Sequence, residues 1–208
     1  MLSIVYIDGF KILVPSTAYK TIFQVCILIG KKIPHFCYNS KLVISGNCRI
    51  CLVEIKGLPK PIASCATPIT DNMILFTSSP LVLKARESVM EFLLINHPLD
   101  CPVCDQGGEC DLQELSLSEG REMSRFFVQK RSVSDKRISS FIRTKMTRCI
   151  HCTKCVRLGF YMGIKTLGVS TRGKTSEIFD YGYASFLKSK DYLKSNIIDI
   201  CPVSWKAL

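Results

Sequence analysis

The chain's 208 residues hold 28 Lys and Arg against 17 Asp and Glu, a formal charge of +11, with 47% hydrophobic residues and twelve cysteines. A chain of this length buries a core without covalent staples, and it opens close to a β-rich run with no secretory or transit leader, so a disulfide framework does not account for the thiols. No apolar run approaches the eighteen or so residues of a membrane span, and the basic residues Lys130, Arg131, Lys136, Arg137, Arg143 and Lys145 form no nucleic-acid-binding motif, which leaves a solvated face or one turned to an acidic partner.

Residues 3–7 and 10–14 are β-rich and joined by Asp8-Gly9, a two-residue hairpin signal. The spacing of Ile22, Val25, Cys26 and Ile29 predicts a helix over about 17–29, ended by Gly30, with Cys26 as a core thiol. Next comes Cys37-x10-Cys48-x2-Cys51-x13-Cys65, looped around Ser45-Gly46-Asn47. Ser79-Pro80 opens a second helix, with a capping serine and a first-turn proline, and places Val82, Ala85, Val89 and Phe92 on one face. That helix leads to His97, followed by Cys101-x2-Cys104-x5-Cys110. Mostly irregular backbone is expected from there to about residue 140, with 129–140 as an exposed connection. A small α/β unit then carries Cys149-x2-Cys152-x2-Cys155 and the distant Cys201-Pro202.

Three thiols within seven residues are spaced to wrap one corner of an iron–sulfur cubane. The fourth ligand falls to Cys201, which alone follows Cys155 and bears the expected proline. The first constellation resembles a two-iron site with a stretched first gap, since the plant-type pattern has four residues there. The middle one has three thiols and no fourth, and His97 is the nearest candidate. Eleven cysteines and His97 thus form three groups of four, and Cys26 is left over. A structural zinc is the competing account, although zinc sites more often use paired C-x2-C knuckles than a triple run. Loading eleven thiolates would bring the net charge to about +6. No glycine-rich dinucleotide fingerprint, P-loop or nucleophile–base pair is present.

The strings Ser45-Gly46-Asn47-Cys48-Arg49-Ile50-Cys51, Asn96-His97-Pro98-Leu99-Asp100-Cys101-Pro102, Asp105-Gln106-Gly107-Gly108-Glu109-Cys110, Thr147-Arg148-Cys149-Ile150-His151-Cys152 and Asp199-Ile200-Cys201-Pro202 resemble the amino-terminal region of the large, 75 kDa iron–sulfur subunit of respiratory complex I. The resemblance implies a [2Fe–2S] cluster on Cys37, Cys48, Cys51 and Cys65, a [4Fe–4S] cluster on His97, Cys101, Cys104 and Cys110, and another on Cys149, Cys152, Cys155 and Cys201. Together with the elements it predicts an α+β chain: a β-grasp, ferredoxin-like [2Fe–2S] domain over 1–78, a linker helix and His/Cys3 segment over 79–140, and a small ferredoxin-like [4Fe–4S] domain over 141–208. It further implies transfer of single electrons from a flavin-bearing NADH module toward ubiquinone. The partners would be that module, the quinone-side iron–sulfur subunits, and a separate chain if the family's carboxy-terminal domain is not lost. The place would be the matrix-side arm at the mitochondrial inner membrane, or the bacterial cytoplasm. The chain departs from the family over 158–186 and at Ser204-Trp205, where Gly-Ala is usual. The electron-transfer subunit of an NAD-linked hydrogenase shares the cluster-bearing region and is the nearest rival.

Overall fold

The computed structural model describes residues 2–15, 19–137, 142–163, 167–181, 191–203 and 205–207. Strands β1 (Leu2–Ile7) and β2 (Phe10–Pro15) form the expected hairpin, in register from Leu2↔Pro15 to Ile7↔Phe10. Asp8 (φ 49°) and Gly9 (φ 88°) both lie in the left-handed region, as a two-residue turn matching strand twist requires. Strands β3 (Leu52–Ile55), β4 (Ile62–Ala63) and β5 (Met73–Phe76) complete a sheet of order β2-β1-β5-β3-β4, in which β1 and β5 run parallel. Helix α1 (Ile22–Leu28) lies in this sheet's grasp. Its Ile22, Phe23, Val25 and Cys26 pack with Val5, Ile7, Val14, Val53 and Leu75 in one buried cluster. The hairpin turn is fastened to β5's end, because Asp8 accepts the Thr77 amide (2.8 Å) and hydroxyl (2.6 Å) and pairs with Lys31 (2.9 Å). Burial opposes the Asp8 charge, but these bonds outweigh it and hold the carboxyl below its usual range.

Helix α1 starts at Ile22, later than the periodicity predicts, because Thr21 and Gln24 make a capping box. Thr21 Oγ1 accepts the Gln24 amide (3.4 Å), and Gln24 Oε1 accepts the amides of Thr21 (3.2 Å) and Lys20 (2.9 Å). Residues 17 and 18 of the predicted helix lie outside the described residues. The Thr21→Ala variant is expected to lose about 1 kcal/mol of stability, visible as a lower urea midpoint at unchanged slope.

Helix α2 (Pro80–Leu94) begins where predicted, with Ser79 Oγ accepting the Val82 amide at 3.3 Å. Its buried stripe is different, however: Val82, Arg86 and Met90 are buried, whereas Phe92 is 76% exposed. The helix is turned so that Arg86 enters the edge of the β-grasp unit. Its Nε and Nη2 donate to Leu52 O (3.2 and 2.9 Å) and its Nη2 also to Thr77 O (3.1 Å). Helix α3 (Asp111–Glu119) occupies part of the segment expected to be irregular. Asp111 and Glu114 in its first turn complement the helix dipole, and Leu112 is buried. Glu119 reaches back to Arg86 Nη1 at 3.5 Å.

The carboxy-terminal part comprises β6 (Lys136–Arg137), β7 (Ile142–Thr144), α4 (Lys154–Tyr161), β8 (Leu167–Ser170), β9 (Glu177–Asp180), α5 (Asp191–Ile200) and β10 (Trp205–Ala207), with sheets β10-β7-β6 and β8-β9. Met146, Cys155, Leu167, Ile178 and Ile197 form its core. The stretch 129–140 is not merely an exposed connection. Arg131 is 6% exposed and donates to Ser176 O (3.0 Å) and Met146 O (2.5 Å), and Lys130 Nζ donates to Leu94 O (3.0 Å) at the end of α2. Residues 138–140 lie outside the described residues. Lys136 pairs with Glu177 (2.5 Å) and Arg143 with Asp135 (3.8 Å). Of the basic stretch, Arg131 is thus drawn into the fold, whereas Arg143 and Lys145 stay exposed.

Candidate iron–sulfur sites

Cys37, Cys48, Cys51 and Cys65 are all buried, on a long loop after α1, at the entry to β3 and just after β4. Between Cys48 and Cys51 the chain turns through Arg49 at φ 57°. Ser64 fixes Cys65 against Cys51, its amide (3.0 Å) and hydroxyl (2.7 Å) both donating to Cys51 O. The thiols are linked in a chain, Cys48 to Cys37, Cys37 to Cys65 and Cys65 to Cys51. Bonds from the Cys48 and Cys65 thiols, against burial, bring Cys37 down to about 2, and a bond from Cys65 brings Cys51 down to about 6. Cys48 and Cys65 are pushed up by the same bonds and by burial. A metal bound by these thiols would have to displace their protons.

His97, Cys101, Cys104 and Cys110 line one small cavity with Gly107, Arg148 and Val203 among its other walls. His97 lies just beyond the end of α2, and Cys110 is the residue before α3. The thiol turn is tight: a Cβ on Gly107 would meet the carbonyl oxygens of Cys101 and Cys104 at 3.0 Å each. Burial, then the charges of Lys130 and Arg148, push His97 down to about 4, so the imidazole is neutral at physiological pH, the form that binds metal. Arg148 is held by Asp100 (3.0 Å), beside Cys101.

Cys149, Cys152, Cys155 and Cys201 come together from three segments. His151 (φ 55°) and Thr153 (φ 59°) turn the chain left-handed twice, which sets Cys155 in the first turn of α4, while Cys201 follows the end of α5. The His151 amide points at Cys149 Sγ (3.4 Å). Burial pushes Cys149 up to about 12 and Cys152 to about 11, and it drives Cys155 well above its usual range. All three are raised further by neighbouring thiols of the group, Cys201 included. Arg131, which sequence reasoning missed, lies beneath this loop with Nη1 at 2.9 Å from His151 Nε2.

The first and third sites meet at a seam. Asn47 Nδ2 donates to His151 O (2.7 Å), and the Ser45 and Thr153 hydroxyls are 3.3 Å apart. Cys110 Sγ contacts Pro202 O at 3.7 Å, joining the second site to the third. Among the described residues no group of three or more His, Cys, Asp or Glu is set for a single metal ion. A donor set of eleven soft thiols and one neutral imidazole suits iron–sulfur cores. Cys26 is buried in the β-grasp core, in the same apolar cluster as Cys51 and Cys65, and burial pushes its thiol up to about 11.

Residues 4–80 match the family of 2Fe-2S iron-sulfur cluster binding domains, residues 86–125 the NADH-ubiquinone oxidoreductase-G iron-sulfur binding region, and residues 139–205 the ferredoxin-like domain of NADH-quinone oxidoreductase subunit 3. Over 200 residues the chain is 52% identical to the NADH-ubiquinone oxidoreductase 75 kDa subunit of Reclinomonas americana, covering 96% of this chain and 28% of that protein. The chain matches the iron–sulfur region of the 75 kDa subunit family over nearly its whole length. The bacterial member of that family from the NADH-quinone oxidoreductase of Rickettsia prowazekii is 52% identical over 95% of the chain and 29% of its own length. The mitochondrial NADH dehydrogenase [ubiquinone] iron-sulfur protein 1 of Solanum tuberosum is 50% identical over 96% of the chain and 26% of its own length. The chain thus spans less than a third of these relatives. Among solved structures, the crystal structure of an NAD+-reducing [NiFe]-hydrogenase in the H2-reduced state superposes with a TM-score of 0.87 at 25% identity, covering 99% of this chain and 87% of that one. The family's three regions bear out the α+β, ferredoxin-like architecture and a complement of one [2Fe–2S] and two [4Fe–4S] clusters. No helix among the described residues is long and apolar enough to cross a membrane.

Proposed function

We propose that the chain is an electron-transfer subunit of respiratory complex I, serving the path from the NADH- and flavin-bearing module toward ubiquinone. The observation that carries this is the presence, in order and in one chain, of three iron–sulfur regions, together with 52% identity over 96% of its length to the 75 kDa subunit of Reclinomonas americana. Cys37, Cys48, Cys51 and Cys65 are assigned to the binuclear cluster, His97, Cys101, Cys104 and Cys110 to one tetranuclear cluster, and Cys149, Cys152, Cys155 and Cys201 to the other. When bound, these groups take up and release one electron each. The chain's own part is to bury Cys37, Cys48, Cys51, Cys65, Cys152 and Cys155 away from water, with Cys101 left exposed, and to place Arg131, Arg148 and Lys130 near the ligand loops. We further infer a division at about residues 78 and 140, partners among the other complex I subunits, and a place on the matrix-side peripheral arm of a mitochondrial enzyme or in the bacterial cytoplasm.

The test is iron and acid-labile sulfide analysis, with low-temperature electron paramagnetic resonance, on material purified without oxygen together with its co-purifying subunits. Iron, sulfide and both binuclear and tetranuclear signals support the reading, whereas zinc in place of iron sinks it. The hydrogenase likeness supports a second reading, since that chain is matched over 87% of its length. Its 25% identity against 52% favours complex I, and the co-purifying subunits separate the two.

The His97 assignment has its own test. Substituting His97→Cys replaces a neutral ligand by an anionic one and is expected to lower that cluster's potential, and His97→Ala is expected to weaken or remove its signal while the other two persist. If neither variant alters the spectrum, His97 is not a ligand.

A further inference from the structure

One side chain touches the ligand loops of two sites. Arg157 is in α4, two residues past Cys155, and is half-buried. Its Nη2 donates to the carbonyl oxygens of both Cys37 and Cys152, the latter at 3.1 Å. Its Nη1 donates to Val43 O at 2.7 Å, and its Nε approaches Thr153 Oγ1 at 3.3 Å. A planar fork of five donors can span carbonyls on two segments in this way and keeps its charge at any pH a protein meets, whereas an ammonium offers one point of attachment.

We propose that Arg157 is a positioning residue that fixes the first and third sites against each other and, as a cation seated between them, raises the reduction potential of both. The proposal rests on the reading above that both loops hold clusters. Each cluster becomes more negative on reduction, so a fixed positive charge beside it stabilises the reduced form, more strongly in a half-buried seam than across solvent. The same seam carries an uncharged link from Asn47 to His151 O, which separates the effect of charge from that of contact. The second site has its own cations in Arg148 and Lys130 and serves as an internal reference.

The experiment is a redox titration followed by electron paramagnetic resonance on the complex purified without oxygen. In Arg157→Gln, the midpoints of the binuclear cluster and of the Cys149 cluster are expected to move together to more negative potential, with the His97 cluster unmoved. Arg157→Lys keeps the charge and loses the fork, so it is expected to restore both midpoints while altering the spin–spin broadening between the two clusters. Asn47→Ala is expected to leave both midpoints in place. Unchanged midpoints in Arg157→Gln, an equal shift of all three clusters, or the same shift in Asn47→Ala would overturn the proposal. Loss of both clusters in Arg157→Lys would also overturn it, because Arg157 would then be a folding residue. Loss confined to Arg157→Gln, rescued by Arg157→Lys, would support the requirement for charge. Absence of clusters from the unaltered protein would instead refute the reading on which the proposal rests.

Discussion

Replacing Cys51 by alanine is expected to abolish the binuclear signal and remove about a fifth of the iron, the share of a two-iron core among three clusters, while both tetranuclear signals remain. Cys51 is 1% exposed and stands at the mouth of β3, where its carbonyl oxygen also receives both donors of Ser64. Without its sulfur the core loses one of its four assigned ligands; Cys26 is the thiol of the same buried cluster that the assignment leaves out. Cys26→Ala is the matched control. It removes an equally buried sulfur, and its expected cost is about 1 kcal/mol of stability with all three signals retained. A binuclear signal surviving in Cys51→Ala, or vanishing in Cys26→Ala, would reverse the assignment of these two thiols.

The second large effect concerns stability rather than redox chemistry. Arg86→Ala is expected to cost about 3–5 kcal/mol, as removal of one partner from a buried charged network does. Arg86 is 3% exposed, and its loss strands the Leu52 and Thr77 carbonyls and leaves Glu119 without its cation. Because these groups belong to β3, the end of β5 and α3, the variant also unfastens the β-grasp unit from the segment that bears the second site. Arg86→Lys retains the charge but lacks the planar fork whose separate nitrogens reach Leu52 O, Thr77 O and Glu119, and its expected loss is intermediate. Urea unfolding of the loaded protein measures both. A midpoint near that of the unaltered chain in Arg86→Ala would show that the network contributes little.

The parts legible in the sequence were those governed by local chemistry. The Asp8-Gly9 turn, the Ser79-Pro80 helix start and the C-x2-C loops follow from the few residues that make them. What was not legible depends on partners distant in the chain. Arg86 and Arg131 are buried because carbonyls from nine to 45 residues away converge on them, and an arginine in sequence reads as surface. Taking Phe92 as part of an inward face followed the apolar spacing, but the guanidinium's acceptors decide how α2 is rotated. Helix α3 did leave a signal, with acidic residues after Cys110, Leu112 and Leu115 at helical spacing, and Gly120 at its end. The cysteines around it drew attention away from that pattern.

The three sites differ in how far along the chain their ligands lie, and this bears on how the protein is made. The first site is complete once Cys65 has been synthesised, and the helix and most of the strands that enclose it precede residue 77. The third has three thiols in one turn and then waits for Cys201, at the end of α5. The seam between them, Asn47 to His151 and Arg157 to Cys37, joins residues more than a hundred positions apart. On a ribosome adding about 5–20 residues per second, the four thiols of the first group therefore emerge seconds before Cys201 exists, while Cys149, Cys152 and Cys155 wait as an incomplete trio. The order in which the groups can be completed runs from the amino terminus, and the seam closes last.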